Sequence, residues 1–249
     1  MNRVRVITGA AGRLSCNAVA MDRATMKTAN RILQTSIDLF NEQGERNVTA
    51  ADIALELDIS PGNLYYHFKG KDDIIGALWQ QHQRTLAGAL SAPMHDPNVF
   101  EDPDGSVAGR IERSWLYLTV VLEEMYEHRF VYYNLDDLMH RFEAIERGVP
   151  RLIALLRAAC TALTESLLPE GLDAEPGRAS QIAESMTLTL TYWLSYDRMQ
   201  RRTPDPMGTV HGGVLQSLSV CAPYLGSEAA LFYEECEALY HRMLLAQDD

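Results

Sequence analysis

The sequence predicts an all-α protein. Apolar residues recur at helical spacing: Ala29, Leu33, Ile37 and Phe40 fall at i, i+4, i+8 and i+11 near the start. Phe232, Cys236, Leu239 and Met243 fall at i, i+4, i+7 and i+11 near the end. No alternating β-branched run bounded by hairpin turns occurs between them. With 47% hydrophobic and 22% charged residues in 249, the chain can bury a core, and wholesale disorder is excluded.

Breakers set the elements. Residues 1–22 are expected to be a disordered extension. Arg13 and Asn17 interrupt any secretory apolar stretch, and Gly9-Ala10-Ala11-Gly12 lacks the third glycine of a nucleotide loop. A first helix is predicted over 25–43, ended by Gly44 in a left-handed conformation. Thr49 caps a helix over 50–57, with Asp52 as its acidic partner three residues on. Asp58-Ile59 makes a turn. Ser60 caps a helix over 61–68, with Pro61 at its first position, where the missing N–H costs nothing. Helices follow at 71–90, 107–127, 130–147, 150–167, 177–201, 211–224 and 227–246. Proline- and glycine-bearing breaks separate most of them, among them Gly148-Val149-Pro150 and Pro204 to Gly213. The acidic stretch 91–109 lacks calcium-loop spacing and is expected to be a solvated loop.

Net charge is −12, which argues against a general polyanion binder. Over 21–75 there are six cations and nine anions, so non-specific affinity for a polyanion should be weak there. No stretch is long and apolar enough to span a bilayer. Cys16, Cys160, Cys221 and Cys236 form no CxxC pair or zinc pattern and are expected to be structural thiols of a cytoplasmic protein. His128 and His140 lack a third ligand in register, so no metal site is expected, and no cofactor either. No HExxH, GxSxG, Walker loop or Cys-His pattern argues for an enzyme.

Two short helices joined by a tight turn, over 50–68, form a helix-turn-helix pattern, with small Ala54 where the helices approach. The wording is more specific. Ile32-Leu33-Gln34-Thr35-Ser36-Ile37-Asp38-Leu39-Phe40 is followed by Val48-Thr49-Ala50-Ala51-Asp52-Ile53-Ala54, then by Leu64-Tyr65-Tyr66-His67-Phe68-Lys69-Gly70-Lys71. This run strongly resembles the DNA-binding domain of the tetracycline-repressor (TetR) family of bacterial regulators. The resemblance implies a DNA-binding domain over 23–72 and a helical effector-binding and dimerisation domain over 73–249. It implies that Gly62 and Asn63 approach base edges, where Asn can pair with adenine. Tyr66, His67 and Lys71 match phosphate-contacting positions; Thr49, Ser60 and Lys27 are further phosphate candidates. Leu64, Tyr65 and Phe68 are expected in the core.

The implied function is a sequence-specific transcriptional regulator, a repressor released from a double-stranded DNA operator by a small, largely apolar ligand. The helix 71–90 would be the lever between domains. Trp115, Met139, Phe142, Met186, Thr189 and Trp193 are the candidate pocket residues, from a stretch rich in aromatics and methionines. Helices 177–201 and 211–224 are expected to form a homodimer, because the run 186–194 is apolar all round. The rival reading is that 227–246 covers this surface within one chain. Two other functional readings stay open: a DNA-binding regulator without a small-molecule inducer, and an all-α enzyme or ligand-binding protein with an accidental motif.

Overall fold

The structure is a computed structural model that describes residues 11–96, 98–168, 177–201 and 203–245, with side chains described from Met26 to Arg242. Among these residues every regular element is a helix. The chain divides into two compact units, Met1–Leu78 and Trp79–Asp249.

The first unit contains α1 (Ala11–Gln43), a 3₁₀ turn (Glu45–Asn47), α2 (Ala50–Glu56), α3 (Pro61–His67) and the start of α4 (Lys71–Leu90). Residues 11–22, expected in a disordered extension, are helical as the first turns of α1. Ala, Leu, Arg and Met, all strong helix formers, make up half of that stretch, and no proline interrupts it. The rest of the expected extension, 1–10, lies outside the described residues. α1 packs against α2 and α3, and α2 against α3. Ile32, Ile37, Phe40, Val48, Ile53, Ala54 and Leu64 fill the space between them.

Gly44 ends α1, but with φ 83° and ψ 135° rather than in the left-handed helical well. Only glycine enters that region readily. The turn after α2 closes differently. Asp58 takes φ 53°; its N–H donates to the Leu55 carbonyl at 3.0 Å, and the Ile59 N–H donates to the Ala54 carbonyl at 3.0 Å. This pair of bonds is a Schellman cap, with aspartate where glycine is usual.

The second unit contains the remainder of α4, then α5 (Ala92–His95), α6 (Val107–Glu127), α7 (Arg129–Tyr133), α8 (Leu135–Arg141), α9 (Glu143–Leu167), α10 (Arg178–Gln200), α11 (Pro206–Ser219) and α12 (Ala229–Leu245). The stretch expected as a solvated loop carries the short α5 and buries Phe100 against Tyr117. The helix predicted over 130–147 is broken at Asn134 (φ −135°) and again at Phe142. Asn134 turns its side-chain amide to the Phe130 carbonyl at 3.4 Å, the local bonding by which asparagine leaves helices. Pro150, read as a breaker, lies inside α9. It sits on the exposed face, where water can serve the carbonyl it leaves without a helical donor.

α10 packs against α9 and α11, and α6 against α11 and α12. A Cβ at Gly213 would come within 2.6 Å of the Trp193 indole nitrogen and 2.9 Å of Leu122, so glycine permits this close approach. Val214, Ser217 and Leu218 of α11 are fully buried within the one chain. The sequence reading gave this face to a dimer partner. That part needs correction: α6, α10 and α12 already cover it, because the glycines of α11 let it sink into the core. Cys160, Cys221 and Cys236 are buried free thiols, and burial pushes each up to about 12. The Cys16 side chain lies outside the described residues. Among the described residues no helix is long and apolar enough to cross a membrane.

Candidate functional site

The first candidate site is the outer face of α3. The Ser60 hydroxyl accepts the Asn63 N–H at 3.2 Å, and Pro61 opens the first turn. Leu64 is fully buried and pins the helix to its unit. Gly62 and Asn63 are exposed, and Tyr66 is 74% exposed. Tyr65 departs from expectation. It is 54% exposed rather than core, and Phe68 is half-buried. A helix of seven residues has one inward face, which Leu64 occupies; Tyr65 lies about a quarter-turn round it. At Gly62 an added Cβ would meet only the Ser60 hydroxyl, at 3.9 Å. The chain's own packing therefore does not require glycine there.

The phosphate candidates fall into two groups. Lys27 and Ser60 are exposed, and half-buried His67 meets Tyr66 edge to face with ring centroids 5.1 Å apart. Thr49 and Lys71 are already engaged. The Thr49 hydroxyl donates to Asp52 at 2.6 Å and accepts the Asp52 N–H at 3.2 Å, while the Asp52 carboxylate accepts the Thr49 N–H at 2.8 Å. This capping box satisfies donors at both ends of the first turn. Hydrogen bonds from the Thr49 hydroxyl and N–H hold the Asp52 carboxyl below its usual range. Lys71 Nζ lies 3.3 Å from the Glu45 carboxylate and donates to the Glu45 carbonyl at 2.9 Å. An ammonium has three N–H donors, so one remains for a phosphate.

The second unit holds a small apolar cavity of about 30 Å³, partly open to solvent. Trp79, Leu90, Met125, Val131, Leu152 and Leu156 are among its walls. None of the six sequence-nominated pocket residues lines it. Trp115 and Met186 are fully buried packing residues. The Trp193 indole donates to the Thr209 carbonyl at 2.7 Å and covers Gly213, while the Thr189 hydroxyl donates to Ser185 at 2.9 Å. Met139 and Phe142 are half-buried outside the cavity lining. Of the six, Trp115 and Met186 belong to the helical core and the other four are half-buried.

Beside the cavity lies a polar cluster that sequence reasoning missed. His82 Nδ1 lies 2.8 Å from Glu124 Oε1, and His128 Nδ1 lies 3.2 Å from the same oxygen. The two imidazoles stack at 4.4 Å. Tyr132, a cavity residue, places its hydroxyl 2.8 Å from His82 Nε2. Burial pulls the His82 imidazole below its ordinary value, favouring the neutral ring. Burial raises the Glu124 carboxyl, but the two imidazoles outweigh it and bring the group down to about 2. The Glu124–His128 spacing of four was visible in the sequence; His82, 42 residues before Glu124, was not marked by any local pattern.

Comparison with known proteins identifies the fold. Residues 32–78 match a family profile described as bacterial regulatory proteins of the tetR family, and residues 81–231 match one described as bacterial transcriptional repressor. The transcriptional regulator SrpR of Pseudomonas putida, of the helix-turn-helix type, is 26% identical over 159 residues, which is 59% of this chain and 66% of that protein. UidR of Escherichia coli K12, described likewise, is 26% identical over 107 residues, 43% of this chain and 55% of that protein. The chain thus spans between about half and two thirds of the length of these relatives. A crystal structure of a TetR-family transcriptional regulator from Marinobacter aquaeolei VT8 superposes with a TM-score of 0.67 at 27% identity, covering 87% of this chain and 98% of that one. Two consecutive profile matches, one of them over more than half the chain, and a shared fold place this chain in the TetR family of bacterial transcriptional regulators.

Proposed function

We propose that this chain is a cytoplasmic, DNA-binding transcriptional repressor that reads its operator as a homodimer and leaves it when a small apolar molecule binds the second unit. The exposed N-terminal half of α3 carries the reading of DNA. Gly62 offers backbone without a side chain, and Asn63 offers an amide suited to adenine. Tyr66, His67, Lys27, Ser60 and the spare donor of Lys71 suit phosphate oxygens, which set register rather than sequence. The net-acidic character of 21–75 leaves affinity to these few contacts and to a second half-site.

The apolar cavity supports the second part of the proposal, since its walls are aliphatic and aromatic with the Thr191 and Tyr132 hydroxyls among them. A ligand releases DNA only by its differential affinity for two states; about 5.5 kcal/mol switches the population nearly completely. Selection of random DNA by the purified protein tests the first part. The expected result is a two-fold motif whose half-site centres lie about 34–36 Å apart, or a multiple of it. Absence of any enriched motif overturns it. Mass spectrometry of co-purified small molecules, followed by DNA-release assays with each, tests the second part. A fully induced-like protein with Leu156→Trp filling the cavity is also expected; unaltered induction in that variant would place the ligand elsewhere.

A further inference from the structure

We propose that His82, Glu124 and His128 form a binding site for one zinc-class divalent metal ion, through His82 Nδ1, Glu124 Oε1 and His128 Nδ1. The argument starts from geometry. The potential ligand atoms of the three residues lie within 4.8 Å of one another, and among the described residues this is the one grouping of its kind. A tetrahedral zinc site with bonds of about 2.0–2.1 Å has ligand atoms about 3.3 Å apart. Here the two nitrogens lie 2.8 and 3.2 Å from the shared carboxylate oxygen. Both distances lie within about half an ångström of that spacing.

The second argument concerns protons. His82 Nε2 faces the Tyr132 hydroxyl at 2.8 Å, which can accept as well as donate. His82 can therefore carry its proton on Nε2 and turn a lone pair from Nδ1 toward Glu124. His128 Nδ1 lies 3.2 Å from the Glu124 carboxylate and 3.3 Å from the Glu124 carbonyl, while its Nε2 is buried with no hydrogen-bond partner; the metal-free ring donates from Nδ1, and a metal there would move that proton to Nε2. With both protons on Nε2, two nitrogen lone pairs and a carboxylate oxygen converge on one point. A cation resolves that convergence.

The donor chemistry selects the class of ion. Two imidazoles and one carboxylate suit zinc, cobalt or nickel, whereas calcium and magnesium take oxygen ligands. Tyr132 would act from outside the coordination sphere, fixing the tautomer of His82, as partners of metal-bound histidines do. Three protein ligands leave a coordination position for water or for a donor atom of a molecule in the adjoining cavity, which shares Tyr132 with the cluster.

The test uses the full chain, stripped with a chelator and titrated with Co²⁺ while its visible absorption is recorded, with Zn²⁺ then added in competition. One Co²⁺ per chain, displaced by Zn²⁺, is expected. Glu124→Gln and His128→Gln should each weaken binding more than 100-fold, and His95→Gln should leave it unchanged. Should the first two variants fail to fold by circular dichroism, Tyr132→Phe decides. It keeps every ligand and should weaken binding about 10–100-fold. No stoichiometric binding to the unsubstituted chain, or equal binding by folded Glu124→Gln, overturns the site. Unchanged affinity in Tyr132→Phe does so if the ligand variants are lost.

Discussion

Lys71 is tied to Glu45 twice, through the carboxylate at 3.3 Å and through the backbone carbonyl at 2.9 Å. Glu45 is 1% exposed, so the first residue of α4 anchors a buried acid of the 3₁₀ turn. A residue assigned to phosphate from the sequence resemblance thus also holds its own domain together. Lys71→Ala removes a cation from beside a buried carboxylate. The expected cost is about 2–3 kcal/mol, below the roughly 3–5 of a fully buried pair because Lys71 keeps contact with water. Lys71→Ala should also weaken all DNA sequences alike and flatten the salt slope by about one ion. The double variant Lys71→Ala/Glu45→Ala separates the roles. Urea melts should show most of the stability restored, while DNA affinity stays low. Recovery of both would make Lys71 a purely structural residue.

Gly62 and Asn63 should respond in opposite ways to alanine. Alanine fits at Gly62, where the nearest atom to an added Cβ is 3.9 Å away, and should stabilise α3 by up to about 1 kcal/mol. The same methyl obstructs close approach to bases, so operator affinity should fall as the melting temperature rises. Asn63→Ala should leave stability unchanged, since the cap uses the backbone N–H. It should cost about 1–3 kcal/mol at one base position. An unchanged selected motif for Asn63→Ala would remove this side chain from base reading.

Thr49→Ala removes a capping box and should cost about 1 kcal/mol, seen in thermal melts. Thr49→Ser restores the hydroxyl and should recover most of it. If Thr49 only caps, the DNA affinity of Thr49→Ser and of the unsubstituted chain should agree, and Thr49→Ala should lose affinity only in proportion to the folded fraction. A larger loss assigns the hydroxyl to phosphate as well.

Local signals explain which parts of the molecule the sequence made legible. The bounds predicted for α4 and α6 agree with those observed; glycine, serine and proline punctuate both ends of α4 and the start of α6. Cap chemistry at Thr49 and Ser60 likewise placed α2 and α3 within a residue. The break at Asn134 rests on a single asparagine, a weak local signal, and the break at Phe142 carries no glycine or proline at all. Pro150 misled for the converse reason, since a proline on an exposed helical face can be accommodated. The outer face of α3 was readable from wording within one short run. The His82–Glu124–His128 cluster and the cavity unite residues from distant elements, and no local period encodes that union. Trp115 and Met186 show the limit of composition, since large apolar side chains fill cores more often than they line hollows.

Of the two helices expected to meet a second copy, α10 presents exposed apolar side chains, while Val214, Ser217 and Leu218 of α11 are buried within the chain. Leu188, Tyr192, Tyr196 and Met199 fall at i, i+4, i+8 and i+11 and are 62%, 56%, 52% and 76% exposed. They form one stripe along α10, while Ile182, Met186, Leu190 and Leu194 on its other side are buried. A helix apolar on both sides requires cover on both. The chain supplies one cover through α9 and α11. A second copy supplies the other most simply, because a two-fold axis lets the same stripe meet itself. Leu218→Glu, aimed at α11, cannot probe this contact. It would bury a charge in the monomer's own core, where Leu218 is 0% exposed, and should unfold the chain. Tyr192→Glu is the discriminating variant. It places a charge on an already exposed site, so folding by circular dichroism should be intact within about 0.5 kcal/mol. Light scattering should shift from two chains to one, and operator binding should fall steeply as the second half-site is lost. A folded Tyr192→Glu protein that remains dimeric would move the interface to another face of the second unit.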